Sequence, residues 1–224
     1  ELNEISSFFK SDIDLNENIM ELRLKYNKLA NELSIARNKK KTILSGLIEH
    51  SLKSLNMERA RFHIDISQNF IEDSFMTVDK KPVDYFLNGV DQVEFLLSAN
   101  PGEPMKPMAS IASGGEMSRI MLAIKTVFQD QNPVSTLIFD EIDTGISGET
   151  AKKVSSHLKK LSKHKQVVCI THLPQIAKIA DNHLHVTKKM DDVNTNVETS
   201  YMNGNKSKKI INNLLVGDEV KKYN

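Results

Sequence analysis

The second half of the chain alternates short apolar runs with amphipathic segments, and this alternation constrains the fold more than any other feature. Apolar runs at 134–140 and 166–171 predict buried strands, and the segment 148–162 between them has the apolar spacing of a helix. A strand, a helix and a second strand in this order imply parallel strands joined by a helical crossover. We therefore predict an α/β fold for the region from residue 113 onward. Further helices are predicted at 114–129, after Pro174 and at 207–215, with a further strand near 184–188.

The first sixty residues predict one long helix. Its apolar side chains recur at alternating steps of three and four, interrupted only at Lys40, at Leu15, Ile19, Leu22, Tyr26, Leu29, Leu33, Ala36, Ile43 and Leu47. This heptad spacing is typical of a coiled coil, because so narrow an apolar stripe is buried only against another helix. Two interpretations stay open, a coiled-coil arm and an amphipathic helix packed on a globular body.

Between this helix and the α/β region, the sequence has the period of strands. Alternate apolar residues at 62–66 predict one strand, and 90–97 predicts another. Residues 67–88 are ambiguous and hold either a loop or a further short strand. We therefore divide the chain into a coiled-coil arm at 1–60 and a second domain at 61–224.

Composition narrows the class of protein. The 30 Lys and Arg against 29 Asp and Glu give a net charge of +1, so any DNA contact needs a local patch. Lys39-Lys40-Lys41 is either such a patch or a solvated helix face. The single cysteine, Cys169, cannot form an internal disulfide and fits a reducing compartment. No apolar run has membrane-spanning length and no signal peptide is visible, so we expect a cytoplasmic protein with no membrane partner. A first residue of Glu1 rather than Met leads us to expect a fragment or a processed protein.

Ser113, Gly114, Gly115 and Glu116 open the helix predicted at 114–129. A serine followed three residues later by a glutamate is a capping box, which by itself only starts a helix. Two glycines weaken the first turn, but they let a phosphate approach bare backbone N–H groups at the positive helix end. The motif therefore predicts either a plain helix cap or an anion-binding helix start.

Two adjacent carboxylates, Asp140 and Glu141, end the first buried strand. Acids are common at the carboxyl edge of a parallel sheet, so the pair alone is only moderately informative. In the functional interpretation the two side chains face opposite ways. Asp140 would hold Mg²⁺, directly or through a water, and Glu141 would polarise an attacking water as general base.

His172 ends the second buried strand. A lone histidine is more often structural than catalytic, but at this strand end it could reach a γ-phosphate oxygen and stabilise developing charge. The three motifs, each at a helix start or a strand end, together favour one half of a nucleotide-binding domain. No G-x-x-x-x-G-K-[ST] phosphate loop occurs in the sequence, so the other half must come from elsewhere.

These residues resemble the RecN family of bacterial DNA-repair proteins, relatives of the SMC ATPases. The resemblance rests on four stretches, Val93–Pro104, Ala112–Lys125, Phe139–Gly148 and Thr171–Ala177. The most specific part is the run Asp-Thr-Gly-Ile-Ser-Gly that ends at Gly148, because transporter ATPases and ordinary SMC proteins differ there. The implied fold is the C-terminal half of an ABC/SMC-type ATPase head, preceded by a long coiled-coil helix.

The resemblance also implies roles for the motif residues. They are an ABC signature at Ser113, Gly114, Gly115 and Glu116, a Walker B pair at Asp140 and Glu141, and a switch histidine at His172. The signature is expected to contact the γ-phosphate of ATP bound to a partner head. Ser147 stands where an aspartate is usual, so its role stays open. The family's phosphate loop and Q-loop lie in an N-terminal half, before the outgoing coil.

As function, the resemblance implies ATP-dependent recombinational repair of DNA double-strand breaks, with ATP and Mg²⁺ as cofactors. The expected partners are the N-terminal half with the phosphate loop, a second copy joined through ATP-sandwiched heads, DNA and a recombinase, in the nucleoid. Alone, the chain is expected to be inactive and to bind ATP negligibly. A competing interpretation is a non-enzymatic coiled-coil scaffold with a degenerate nucleotide-binding half. A third, a transporter-associated ATPase, is disfavoured by the heptad arm.

Overall fold

The computed structural model describes residues 2–111, 114–130, 133–190 and 195–220. The helices are α1 (Leu2–Ser54), α2 (Gly114–Val127), α3 (Gly148–Leu161), α4 (Pro174–Ala177) and α5 (Gly204–Val220), with a 3-10 turn at Met108–Ser110. The strands are β1 (Arg61–Ser67), β2 (Thr77–Val78), β3 (Lys81–Pro82), β4 (Gln92–Ser98), β5 (Lys106–Pro107), β6 (Thr136–Phe139), β7 (Gln166–Cys169), β8 (His183–Met190) and β9 (Thr195–Met202). The predicted α/β class is confirmed. None of the described helices combines the length and apolarity that a bilayer crossing needs.

The chain divides into two compact units, which are described separately. The first unit comprises 1–46, 61–98 and 102–109, and the second comprises 47–60, 99–101 and 110–224. Helix α1 therefore contributes to both units. The predicted division at residue 60 stays a prediction.

The first unit is built on antiparallel strands. Strands β1, β4 and β5 form one sheet, with Phe62 opposite Leu97, and β2 pairs with β3 in a separate short hairpin. The segment 67–88 that was ambiguous in sequence therefore holds this hairpin. A small core of Ala30, Met76, Val83 and Val90 joins α1 to the hairpin and to the turn before β4.

Helix α1 uses an unexpected face for this packing. Ala30 and Ser34, which lie outside the predicted apolar row, are buried, and Tyr26 of that row is half-buried. The other members of the row are exposed, namely Leu15, Ile19, Leu22, Leu29, Leu33, Ala36, Ile43 and Leu47. The helix thus packs on a globular body within its unit through a different stripe. A coiled coil through the apolar row stays a prediction.

The second unit contains the predicted crossover. Strands β6 and β7 are parallel and joined by α3, with Leu137 opposite Val167. Leu137 and Phe139 are buried on one face of this strand pair, while Ile138 is 69% exposed on the other. Strands β8 and β9 form an antiparallel hairpin that leads into α5.

Candidate active site

The two parallel strands bring the predicted acids and the histidine to one edge. Phe139 and Cys169 are register partners at the ends of β6 and β7, and the Ile170 amide donates to the Phe139 carbonyl at 2.9 Å. Asp140 and Glu141 follow β6 directly, and His172 lies three residues after β7. This register is what places residues about thirty positions apart in sequence beside each other.

The start of α2 lies against the loop after β6. A Cβ atom on Gly114 would overlap the carboxylate of Glu141, and one on Gly115 would lie 2.9 Å from the Thr144 carbonyl oxygen. Glycine is therefore required at position 115, where the neighbour is backbone, while the Glu141 side chain beside Gly114 can rotate. Ser113 lies outside the described residues, and Glu116 is in the first turn of α2.

Two side chains of α2 bind the backbone of the same loop. The Ser118 hydroxyl donates to the Asp140 carbonyl at 2.8 Å, and the Arg119 guanidinium donates to the Thr144 carbonyl at 3.1 Å. Burial lowers the pKa of Arg119, and the Glu116 carboxylate opposes that shift. An arginine stays charged even so, and the loop is fixed to α2 at both ends.

The two adjacent acids are both exposed. Glu141 has a φ of 56°, in the left-handed region that is rare for residues other than glycine. The Asp140 Oδ1 atom accepts a hydrogen bond from the Glu141 amide at 2.9 Å, which holds the turn. Among the described residues no group of three or more potential ligand side chains could hold a metal ion. One exposed carboxylate, Asp140, fits a Mg²⁺ ion that keeps waters and phosphate oxygens as its other ligands.

Asp143 is a site residue to whose side chain sequence reasoning gave no role. Its Oδ2 atom accepts hydrogen bonds from the Thr171 hydroxyl at 2.6 Å and from the His172 amide at 2.9 Å. The same oxygen lies 3.1 Å from Nδ1 of the His172 ring. Its side chain is only 5% exposed, whereas that of His172 is 70% exposed. The available signal was a second acid three residues after Asp140, in a loop at the carboxyl edge of the sheet.

Two further residues near the site have plain structural roles. Ser147 is the N-cap residue of α3, with an extended backbone and no side-chain capping bond. Burial, followed by the charges of Asp143 and Asp140, raises the pKa of the Cys169 thiol to about 12. This thiol is therefore protonated at neutral pH and is not a nucleophile.

Comparison with known proteins identifies the family. No family model matches the sequence. The DNA repair protein RecN of Treponema pallidum (strain Nichols) is 40% identical over 218 residues, which are 97% of this chain and 37% of that protein. The DNA repair protein RecN of Halalkalibacterium halodurans is 47% identical over 146 residues, which are 65% of this chain and 24% of that protein. The chain thus spans well under half the length of these relatives.

One solved structure supports the fold. The Smc head domain with an extended coiled coil from Pyrococcus furiosus, bound to the C-terminal domain of ScpA, is 21% identical with a TM-score of 0.51. The match covers 94% of this chain and 46% of that one. At this identity the likeness shows the fold alone. On these grounds the chain belongs to the RecN family and has the fold of part of an SMC-type ATPase head.

Proposed function

We propose that this chain supplies one half of a composite ATP site in a RecN/SMC-like ATPase that acts in recombinational repair of DNA double-strand breaks. The observation that carries the proposal is the meeting of three motifs at one edge of the β6–β7 pair. The glycines at the start of α2 contact the loop after β6, and Asp143 of that loop binds His172 after β7. This arrangement supports a role in hydrolysis of a triphosphate that the phosphate loop of a partner half would hold.

The chain's own residues divide the work by position. The backbone amides of Gly114, Gly115 and Glu116, with Ser113, bind the terminal phosphate of ATP held by a second copy, because a helix start offers free N–H groups. Glu141 takes a proton from the attacking water as general base.

Asp140 and His172 are assigned to the negative charge of the phosphates. Asp140 would hold Mg²⁺, which when bound neutralises negative charge on the phosphates. His172 stabilises the charge that develops on the γ-phosphate.

The exposed apolar face of the β6–β7 pair supports the proposal that a further segment covers it. Parallel sheets are normally covered on both faces, yet Ile138, Val168 and Ile170 are 69%, 44% and 57% exposed. A further segment that packs on this face would bury all three. We assign that role to the N-terminal half of the same protein, which would also bring the phosphate loop.

The exposed apolar row of α1 supports a second contact with the N-terminal half. Its side chains follow a heptad, and several are more than half exposed, including Leu15 at 57% and Leu22 at 65%. An antiparallel helix from the N-terminal half would bury this row and complete a coiled coil. Residues 1–60 would then be an arm on the lobe at 61–224.

The biological role rests on the relatives, which are DNA repair proteins. We extend to this chain a cytoplasmic, nucleoid-associated setting, with DNA and a recombinase as further partners. Lys39 and Lys40 are exposed on α1 and offer a positive patch for DNA, while the net charge of +1 gives no general attraction. ATP binding would join two heads, and hydrolysis by Glu141 would release them.

The experiment is a Glu141→Gln change in the full-length protein. Loss of the base should reduce ATP turnover by about a hundredfold or more, while the amide still permits ATP binding. Light scattering after gel filtration should then find a stable dimer with ATP present and a monomer without it. Glu149→Gln is the matched control, because Glu149 is an exposed acid on α3 whose ion pair with Lys153 is long, at 3.9 Å.

Two outcomes would contradict this function. Turnover near the wild-type rate in Glu141→Gln would show that Glu141 is not the base. A wild-type protein that neither hydrolyses ATP nor dimerises with it would favour the non-enzymatic scaffold.

A further inference from the structure

We propose that Asp143 is a positioning residue that holds the His172 ring in a single orientation, with Nδ1–H directed to its carboxylate. The inference rests on the proposed function, because His172 needs a fixed ring only if it acts on a phosphate. It is carried by the 3.1 Å contact between Asp143 Oδ2 and His172 Nδ1 and by the steep difference in exposure between the two side chains. The carboxylate is buried and fixed, while the ring reaches into the open.

The donors around Asp143 explain why a carboxylate is tolerated there. Burying a carboxylate is costly unless hydrogen bonds compensate it. Two donors converge on Oδ2, the Thr171 hydroxyl and the His172 amide, and the Nδ1 atom of the His172 ring lies 3.1 Å from the same oxygen. The Thr171 hydroxyl oxygen in turn accepts from the Leu173 amide at 3.0 Å, so the whole turn after β7 is organised around one oxygen.

The chemistry of imidazole then fixes the role of each ring nitrogen. A carboxylate oxygen can only accept a hydrogen bond, so Nδ1 must carry a proton whenever this contact is made. In the neutral ring Nε2 is left unprotonated, and in the charged ring Nε2 carries the second proton. In both forms Nε2 is the atom available to a nucleotide, and Asp143 touches no substrate itself.

A merely structural role would predict something different. If Asp143 only fastened the turn after β7, its bonds to the Thr171 hydroxyl and the His172 amide would matter and the ring contact would not. Thr171→Val removes one of the turn bonds and leaves the ring contact in place. Asp143→Asn keeps the shape and an accepting oxygen, but weakens the charge-assisted bond to the ring.

The first test is nitrogen NMR on the full-length protein labelled with ¹⁵N-histidine, the His172 signals being assigned with His172→Asn. In the wild type and in Thr171→Val, the neutral ring should be protonated at Nδ1. In Asp143→Asn a mixture of the two tautomers should appear. A wild-type ring protonated at Nε2, or equal changes in Thr171→Val and Asp143→Asn, would overturn the proposal. The wild-type spectrum decides the first point even if a variant fails to fold.

The second test is a double-mutant cycle in ATP hydrolysis. Asp143→Asn should lower kcat by about tenfold to a hundredfold, as loss of an orienting partner typically does, with little change in KM for ATP. In a His172→Ala background the same change should have almost no further effect, because Asp143 acts through the ring. Additive losses would overturn the positioning role. A His172→Ala protein that turns over at the wild-type rate would count against the proposed function, and the NMR result would still decide the contact.

Discussion

At the scale of single residues, the two glycines that open α2 are confined by different kinds of neighbour. A side chain on Gly114 would meet the end of the Glu141 side chain, which can rotate away. A side chain on Gly115 would meet the Thr144 carbonyl oxygen at 2.9 Å and the Thr144 Cβ atom at 3.0 Å. Backbone cannot move aside as cheaply as a flexible carboxylate.

This difference predicts effects of different size on stability. Gly115→Ala should lower the free energy of unfolding by about 1–3 kcal/mol through overpacking. Gly114→Ala should change it by less than about 1 kcal/mol, because alanine favours the helix and the Glu141 side chain can move. Urea unfolding of the two variants measures this. Equal losses of stability would show that the loop after β6 does not lie against α2 as described.

The site residues differ in how far the sequence alone predicts them. The positions of Gly114 and Gly115 were predicted from the capping box that opens a helix. Those of Asp140, Glu141 and His172 were predicted because they follow apolar runs typical of buried strands. Their chemical roles stay predictions. The part played by Asp143 was missed, because its hydrogen bonds to residues 171 and 172 depend on the register between β6 and β7. Register is a tertiary property that spacing along the chain does not contain.

At the scale of elements, a buried polar cluster fastens α1 within the first unit. Asp91 has a side chain with 0% exposure, and it accepts from Ser34 at 2.7 Å, from Arg37 at 3.0 Å and from Gln68 at 3.2 Å. Arg37 also donates to the Asn88 carbonyl at 2.9 Å. The contact face of α1 is therefore partly polar, which explains why apolar periodicity pointed to a different stripe.

Removing the buried carboxylate should be costly. Asp91→Ala leaves the Arg37 charge and the Ser34 hydroxyl without their acceptor, and we expect a loss of about 3–5 kcal/mol in the free energy of unfolding. Asp73→Ala, at an exposed acid of the same unit, should change it by less than about 0.5 kcal/mol. Urea unfolding compares the two. A similar small effect for both variants would mean that this cluster does not hold α1.

His157 of helix α3 makes the stability of the second unit depend on pH. His157 lies 2.7 Å from the Ser54 hydroxyl through Nε2, and its buried Nδ1 finds no hydrogen-bond partner among the described residues. Burial, and then the charge of Lys160, lowers the pKa of His157 below its ordinary value of 6.5. The ring is therefore harder to protonate in the folded protein than in the unfolded chain, where its pKa has the ordinary value of 6.5.

The free energy of unfolding should consequently decrease as the pH falls. The contribution of His157 is fully present above pH 6.5 and is lost as the pH falls through the lower folded-state pKa. Urea unfolding at pH 7.5 and at pH 5.5 should show a smaller loss in His157→Gln than in the wild type. The exposed His164, changed to Gln, should keep the wild-type dependence. An unchanged pH dependence in His157→Gln would remove this assignment.

Most elements were predictable because their apolar runs are long and bounded. The crossover β6–α3–β7 was predicted within a few residues, since its strands are apolar and α3 shows a clear amphipathic period. Strands β2 and β3 lie in the segment 67–88, where a loop and a further short strand both stayed open, because two residues each are too few to display a period. Their pairing depends instead on the core that they share with Ala30 of α1.

For the whole molecule, the proposed function requires a partner half that completes the nucleotide site. The described sheet at the site has two parallel strands, one of its faces is open, and the apolar row of α1 is exposed. The sequence contains no phosphate loop to hold a triphosphate. Each feature is what one half of a shared nucleotide site would show, and together they predict that neither half binds ATP well alone.

Calorimetric titration with ATP and Mg²⁺ tests this claim most directly. We expect no measurable binding to this chain alone at micromolar nucleotide, and micromolar binding once the half that carries the phosphate loop is added in equal amount. Micromolar binding by this chain alone would contradict it, because the triphosphate would then be held without the partner half.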